Sequence, residues 1–254
     1  MRRTLLTCIA LVVAICSYGQ VAYFQYRVVP QDMEADFVEK ETKYWAKVAQ
    51  AAVDKGKMAS WSLWRKVGVT EEGAPNYVFV NVYDSFEAAD PSQIWNSENL
   101  KTMGVAPGMV ETNSFTKIPF DYWLQMEDMI PGDYKYALVN YAMPKSRNGF
   151  IQENKELWKP LHQKNIKSGN LGMKSWGLMS VVYPTGRLAR FSVLTWDGFD
   201  KISDAMNYLR YNPSGMDGDF QEVVSKSKMG EIMPEGGFEY SILYELVHRI
   251  APKE

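Results

Sequence analysis

Only two histidines occur in the 254 residues, His162 and His248, and one of them stands where it could do chemistry. His162 follows Trp158 by four residues in a segment that reads as helix, so both fall on one helix face. Pro160 lies between them. Proline removes a backbone donor and kinks a helix interior. A kink here would turn His162 inward over a sheet, beside Trp158 at the mouth of a pocket. An imidazole so placed could serve as a general base or as a haem ligand. His248 precedes Arg249 at the end of the last strand and reads as a surface residue.

A second group is polar and lies on strands. Gln25 and Arg27 share one face of the first strand, and Asn140 stands at the position matching Gln25 in a later one. Asn81 and Tyr83 share a face of a third strand, opposite Val78, Val80 and Val82. If the valines meet the helices, the polar set lines a seam between two sheets and can grip a small oxygen-bearing ligand. The ligand-binding set expected is therefore Trp158, Asn140, Gln25, Arg27, Asn81 and Tyr83, with His162 as the catalytic candidate.

Other chemistries have no carriers. The only cysteines, Cys8 and Cys16, precede the folded part, which excludes disulfides, thiolate metal sites and a cysteine nucleophile. There is no Ser/His/Asp order, phosphate loop, dinucleotide fingerprint or zinc spacing. Asp217-Gly-Asp219 reads as a plain loop, and no metal site is expected. The formal net charge of −2 and the lack of a basic tract argue against nucleic acid.

These residues sit in elements that the chain states twice. Val21 to Tyr26 is an apolar run followed by a turn at Pro30, then by Phe37 and Trp45 eight residues apart, Ser60-Trp61 and a run ending at Asp84. Tyr136 to Tyr141, Pro144, Phe150 and Trp158 (again eight apart), Ser175-Trp176 and a run ending at Asp197 repeat that order. Such self-similarity marks an internal repeat. It predicts that Trp45 corresponds to Trp158, Trp61 to Trp176 and Asp84 to Asp197. Trp64 and Trp196, with those four tryptophans, read as core packing.

Each copy reads as β-α-β-β-α-β. In the first the helices are 32–55 and a weaker 86–103, with strands at 21–29, 61–69, 77–83 and 113–120. In the second the strands are 134–143, 174–183, 188–196 and 238–250, with helices at 149–168, 199–211 and 220–228. Residues 121–133 read as a linker between repeats 20–120 and 134–254. Residues 1–19 have a basic start, an apolar stretch too short to span a bilayer and small residues before Gln20, the pattern of a secretory signal. Cleavage would make the protein secreted or periplasmic. A lipid anchor on Cys16 is disfavoured, because bulky Ile15 precedes it.

A βαββαβ unit is the ferredoxin-like motif, whose sheet carries helices on one face only. Two in one chain can stack sheet to sheet as an intramolecular barrel. In element order and aromatic placement the chain resembles the dimeric α+β barrel superfamily, which includes antibiotic-biosynthesis-type monooxygenases, EthD and NIPSNAP-like proteins, haem-degrading monooxygenases and chlorite dismutase-like proteins. The resemblance implies an α+β fold with the usual dimer fused into a monomer. The haem-degrading relatives pair a strand asparagine with a tryptophan and a histidine on the second helix. Asn140 and Trp196 are present, but that helix offers only Tyr208 and Tyr211, and a chlorite dismutase would need a proximal histidine on a late helix. No cofactor is therefore expected, and haem is disfavoured. The function implied is binding of a small apolar or aromatic molecule, or cofactor-independent catalysis on one, with a non-catalytic scaffold as the alternative.

Overall fold

A computed structural model describes residues 19–210 and 218–252. The segment read as a signal lies outside the described residues, as do Tyr211 and Asp217. The eight strands are β1 (Val21–Val28), β2 (Ser60–Lys66), β3 (Tyr77–Tyr83), β4 (Lys117–Ile130), β5 (Tyr136–Ala142), β6 (Met173–Tyr183), β7 (Val193–Phe199) and β8 (Tyr240–Ile250). All neighbours are antiparallel, and they close a barrel in the order β1-β3-β2-β8-β5-β7-β6-β4. The run β4-β1-β3-β2 uses the same order as β8-β5-β7-β6. The two sheets therefore meet edge to edge, through β2–β8 and β4–β6, rather than as two stacked faces. Edge pairing satisfies the open backbone groups that stacking would leave bare.

Strand alternation sorts side chains into an interior and a helix-covered exterior. Ala22, Phe24 and Tyr26 of β1, Val78 of β3 and Ala137, Val139 and Tyr141 of β5 point inside. Val80 and Val82 pack against the same cluster. Val21, Phe79 and Tyr83 face the first half's helices, and Leu138 and Ala142 those of the second. The valine face of β3 thus lines the barrel, and the polar set lies under the helices, the reverse of the seam expected. Apolar valines line the barrel interior, while the polar side chains find partners at the helix ends and loops outside it. Trp196 also faces inward, so it cannot act with Asn140 on the opposite face.

The outer layer of the first half is α1 (Glu34–Lys40), a π-helical turn Glu41–Trp45 and α2 (Ala46–Asp54). The weaker helix breaks into α3 (Pro91–Ile94), a 3₁₀ turn Asn99–Met103 and α4 (Pro107–Val110). Proline begins both α-helical pieces, where its missing N–H costs nothing. The second half has α5 (Arg147–Glu153), a π-helical turn Asn154–Trp158 and α6 (Lys159–Ser168), then α7 (Ile202–Leu209), α8 (Gly218–Lys226) and α9 (Met229–Ile232).

Three expectations are corrected. The segment read as a linker is mostly strand, since β4 runs for 14 residues and pairs with both β1 and β6. Its Tyr122, Leu124 and Met126 are interior core. Asp84 is not the counterpart of Asp197. Trp61 lies opposite Asn81 and Trp176 opposite Asp197, so Asn81 holds the equivalent place and Asp84 is exposed past the strand end. His248 is half-buried, its ring on the edge of Trp61 at 6.1 Å, rather than at the surface.

Candidate functional site

The helix-side polar residues of the two halves have different fates. In the first half they satisfy one another. Arg27 is buried and donates from Nε to Gln25 Oε1 (2.9 Å) and from Nη1 to Asn113 Oδ1 (2.7 Å) and Thr116 Oγ1 (3.0 Å). Asn81 donates to the Tyr23 carbonyl (3.2 Å), and Tyr83 packs on Trp123 at 5.9 Å. Glu41 of the π turn accepts from Thr112 Oγ1 (2.7 Å). Burial pushes its carboxyl up to about 7, against the opposing pull of Thr112 and Arg27. Gln25, Arg27, Asn81 and Tyr83 thus lie in one packed network and do not line the cavity that holds His162.

In the second half the same layer is open. A cavity of about 480 Å³ lies between β5, β7 and β8 on one side and α5, α6 and α7 on the other. That is a normal ligand-pocket size. Its walls are largely apolar and aromatic, with Phe150, Trp158, Trp176, Phe220 and Phe238 among them. Asn140, His162 and Trp158 all line it, so the structure brings these three expected residues together.

α6 directs His162 to the sheet, with Leu161 and Asn165 on the same buried face. The imidazole is buried and stacks on Trp176, centroids 5.4 Å apart and planes 19° from parallel. It is therefore inside the cavity, not at its mouth. The bend that places it is the π turn and not Pro160. The first half makes the same turn with Lys47 at that place, two residues after Trp45, and Pro160 is in the first turn of α6, where proline fits. Asn154 supports the turn by donating Nδ2 to the Phe150 carbonyl (2.9 Å).

Opposite, a short relay crosses three strands. Ser241 Oγ donates to Asn140 Oδ1 (2.8 Å), and Asn140 Nδ2 donates to Asp197 Oδ2 (3.3 Å). This fixes the amide and leaves Asp197 Oδ1 without a hydrogen-bond partner among the described residues. His162 Nδ1 is likewise buried without one. Buried polar groups are normally paired, so two orphaned atoms lining one cavity are a signature of a site. Burial pulls His162 down to about 4, which makes it a neutral base at pH 7. Burial pushes Asp197 up to about 7, partly offset by the Asn140 bond. Tyr208 keeps its proton, through burial and through the nearby Asp197 charge. A neutral base and a carboxyl near half-protonation can together accept and return a proton.

Sequence reasoning missed Asp197, Trp176 and Tyr208 as lining of the site, and Ser241 as the support of Asn140. A signal existed for Asp197. An aspartate inside the strand Val193–Phe199 opposes strand propensity and burial preference.

Among the described residues, no group of three or more acidic or histidine side chains could hold a metal ion. No helix among them is long and apolar enough to cross a membrane.

The closed antiparallel barrel with helices on its outside is the dimeric α+β barrel fold. A protein from Fusobacterium nucleatum provisionally assigned as a monooxygenase superposes with a TM-score of 0.56 at 11% identity, over 92% of this chain and 95% of that one. An anthrone oxidase-like protein gives 0.54 at 12% identity, over 92% and 94%. A mutant chlorite dismutase from Candidatus Nitrospira defluvii, in complex with cyanide, gives 0.51 at 10%, over 90% and 91%. These likenesses show the fold. No family model and no curated protein sequence matches the chain.

Proposed function

We propose that the protein binds a small neutral aromatic molecule bearing a carbonyl or hydroxyl oxygen in the cavity beside His162, and that His162 acts there as a general base without a cofactor. The observation that carries this is the pair of orphaned buried atoms, His162 Nδ1 and Asp197 Oδ1, in an aromatic-walled cavity. The aromatic faces would take the ring, and the two orphans would meet its polar edge. Neutrality of the ligand follows from the lining, which has no lysine or arginine among the described residues. The same lack, with a histidine whose Nδ1 has no acceptor to orient it, does not fit haem, whose carboxylates want cations and whose histidine wants a second-shell partner.

The likeness to an anthrone oxidase-like protein supplies a probe of the right chemistry. Anthrone has an acidic methylene beside its rings. His162 would take that proton, and dioxygen would oxidise the resulting anion to the quinone with loss of water. Anthrone titration should quench Trp158 and Trp176 fluorescence saturably. His162→Phe should keep binding, lose base-dependent turnover and keep its fold. Absence of quenching by anthrone and by simpler phenols would favour the scaffold reading.

Two further proposals concern the chain as a whole. The halves are tandem copies of a βαββαβ unit. The shared strand order, the matched Trp61–Asn81 and Trp176–Asp197 pairs and a π turn ending in tryptophan in each half support this. The chain is secreted or periplasmic after cleavage before Gln20, which N-terminal sequencing of exported protein would check.

A further inference from the structure

The barrel interior has a feature that the helix-side cavity does not explain. All eight strands contribute to a second cavity of about 520 Å³ on the barrel axis. Its walls include Phe24, Val80, Val139, Leu194 and the methionines Met126 and Met179. One end is blind. Tyr141 and Tyr244 line both this cavity and a smaller one of about 170 Å³ beyond them, so they form a partition. Their hydroxyls are engaged with each other at 3.2 Å, and that of Tyr141 also with Tyr26 at 3.1 Å. The other end carries Arg249, whose guanidinium lies 4.8 Å from the Tyr134 ring centroid and 5.6 Å from that of Trp64. Its ion-pair partner is Asp133, fully exposed and 3.8 Å away, at the limit of contact. Trp196 lines the wall with its indole beside Tyr134 of the same lining. Gly177 makes room for that indole, since a Cβ there would sit 1.9 Å from the ring.

We propose that the barrel interior is a second ligand site, for an amphiphilic carboxylate whose apolar chain lies among the valines and methionines and whose carboxylate meets Arg249. A tube closed at one end, apolar along its length and cationic at its mouth matches one charged head on one apolar tail. Methionine walls suit a flexible chain, because the thioether side chain adapts to irregular shapes. The size falls in the range of ligand pockets. This inference is independent of the reading given for His162.

The probe is dodecanoate, with dodecanol as the uncharged comparison, added to the protein beginning at Gln20 and followed by native mass spectrometry and calorimetry. One dodecanoate per chain is expected. Arg249→Gln should weaken dodecanoate by at least about tenfold, as loss of a charged hydrogen bond does, and leave dodecanol unchanged. Val139→Phe, which fills the tube, should abolish binding of both, whereas His162→Phe should change neither. The proposal fails if wild-type protein binds no dodecanoate. It also fails if Arg249→Gln changes acid and alcohol alike, or if His162→Phe removes the site. Should Val139→Phe not fold, the acid-versus-alcohol comparison at Arg249 still decides.

Discussion

His162 and Asp197 titrate in opposite senses, which gives the site a pH signature. His162 is held down at about 4 against an ordinary 6.5. Above pH 6.5 it is neutral folded or unfolded; as pH falls toward 4 only the unfolded chain takes the proton, and stability drops by up to about 3 kcal/mol. Asp197 is held up at about 7 against an ordinary 3.8. Its contribution is intact below pH 3.8 and is lost as pH rises to 7, by up to about 4 kcal/mol. Between pH 4 and 6.5 the two slopes cancel. Denaturant melts at several pH values should therefore show the wild-type-minus-variant difference running in opposite directions for His162→Phe and Asp197→Asn. The difference removes the contribution of Glu41, which is unchanged in both. Asp197→Asn should also raise stability at pH 8 by about 2–4 kcal/mol, since the buried carboxylate no longer has to ionise. Parallel difference curves would mean that the two groups are not buried as described. His162 was legible as a candidate because histidine is rare in this chain and sits beside Trp158. Asp197 was visible only as a marker of the repeat, since its burial depends on which face of β7 the helices cover.

At the scale of elements, the π turn Asn154–Trp158 is the device that aims the site. One extra residue in a turn rotates everything after it by about 100°, which brings Leu161, His162 and Asn165 onto the sheet. Asn154→Ala removes the side-chain bond to the Phe150 carbonyl but keeps the backbone N–H of residue 154 on it, and should cost about 1 kcal/mol in chemical melts. An unchanged midpoint would show that the turn needs no such support. On β6, Gly177→Ala drives a Cβ into the Trp196 indole. Overpacking of this kind costs about 1–3 kcal/mol, and the tryptophan emission should shift as the ring moves. Periodicity made the long helices and most strands legible. It put the inward and outward faces of β3 the wrong way round, because alternation separates two faces without saying which one a helix covers. It also cut β4 short, because Pro119 reads as the end of a strand and Pro131-Gly132 as the punctuation of a linker, whereas the strand continues past Pro119 beside β1 to Ile130.

On the scale of the whole molecule, closure at β2–β8 and β4–β6 ties the halves together. Either half alone would expose two long unpaired edges, which recruit other strands. Residues 19–133 expressed alone should self-associate in gel filtration, and co-expression with residues 134–252 should restore a monomer-sized complex. A monomeric, folded single half would show that closure is dispensable. The tyrosines at the barrel's centre carry a last consequence. Tyr26 and Tyr141 occupy matching places in β1 and β5, and their hydroxyls meet at 3.1 Å. Two identical hydroxyls facing each other across a twofold axis can hold only one proton between them, so in a true homodimer either subunit could be the donor and the arrangement would be degenerate. Here the Tyr141 hydroxyl also meets that of Tyr244 at 3.2 Å, while the place matching Tyr244 in β4 is Leu124, which has no hydroxyl. The centre of the barrel therefore has a polarity: a row of three hydroxyls that runs off to one side only, which two separate identical subunits could not build.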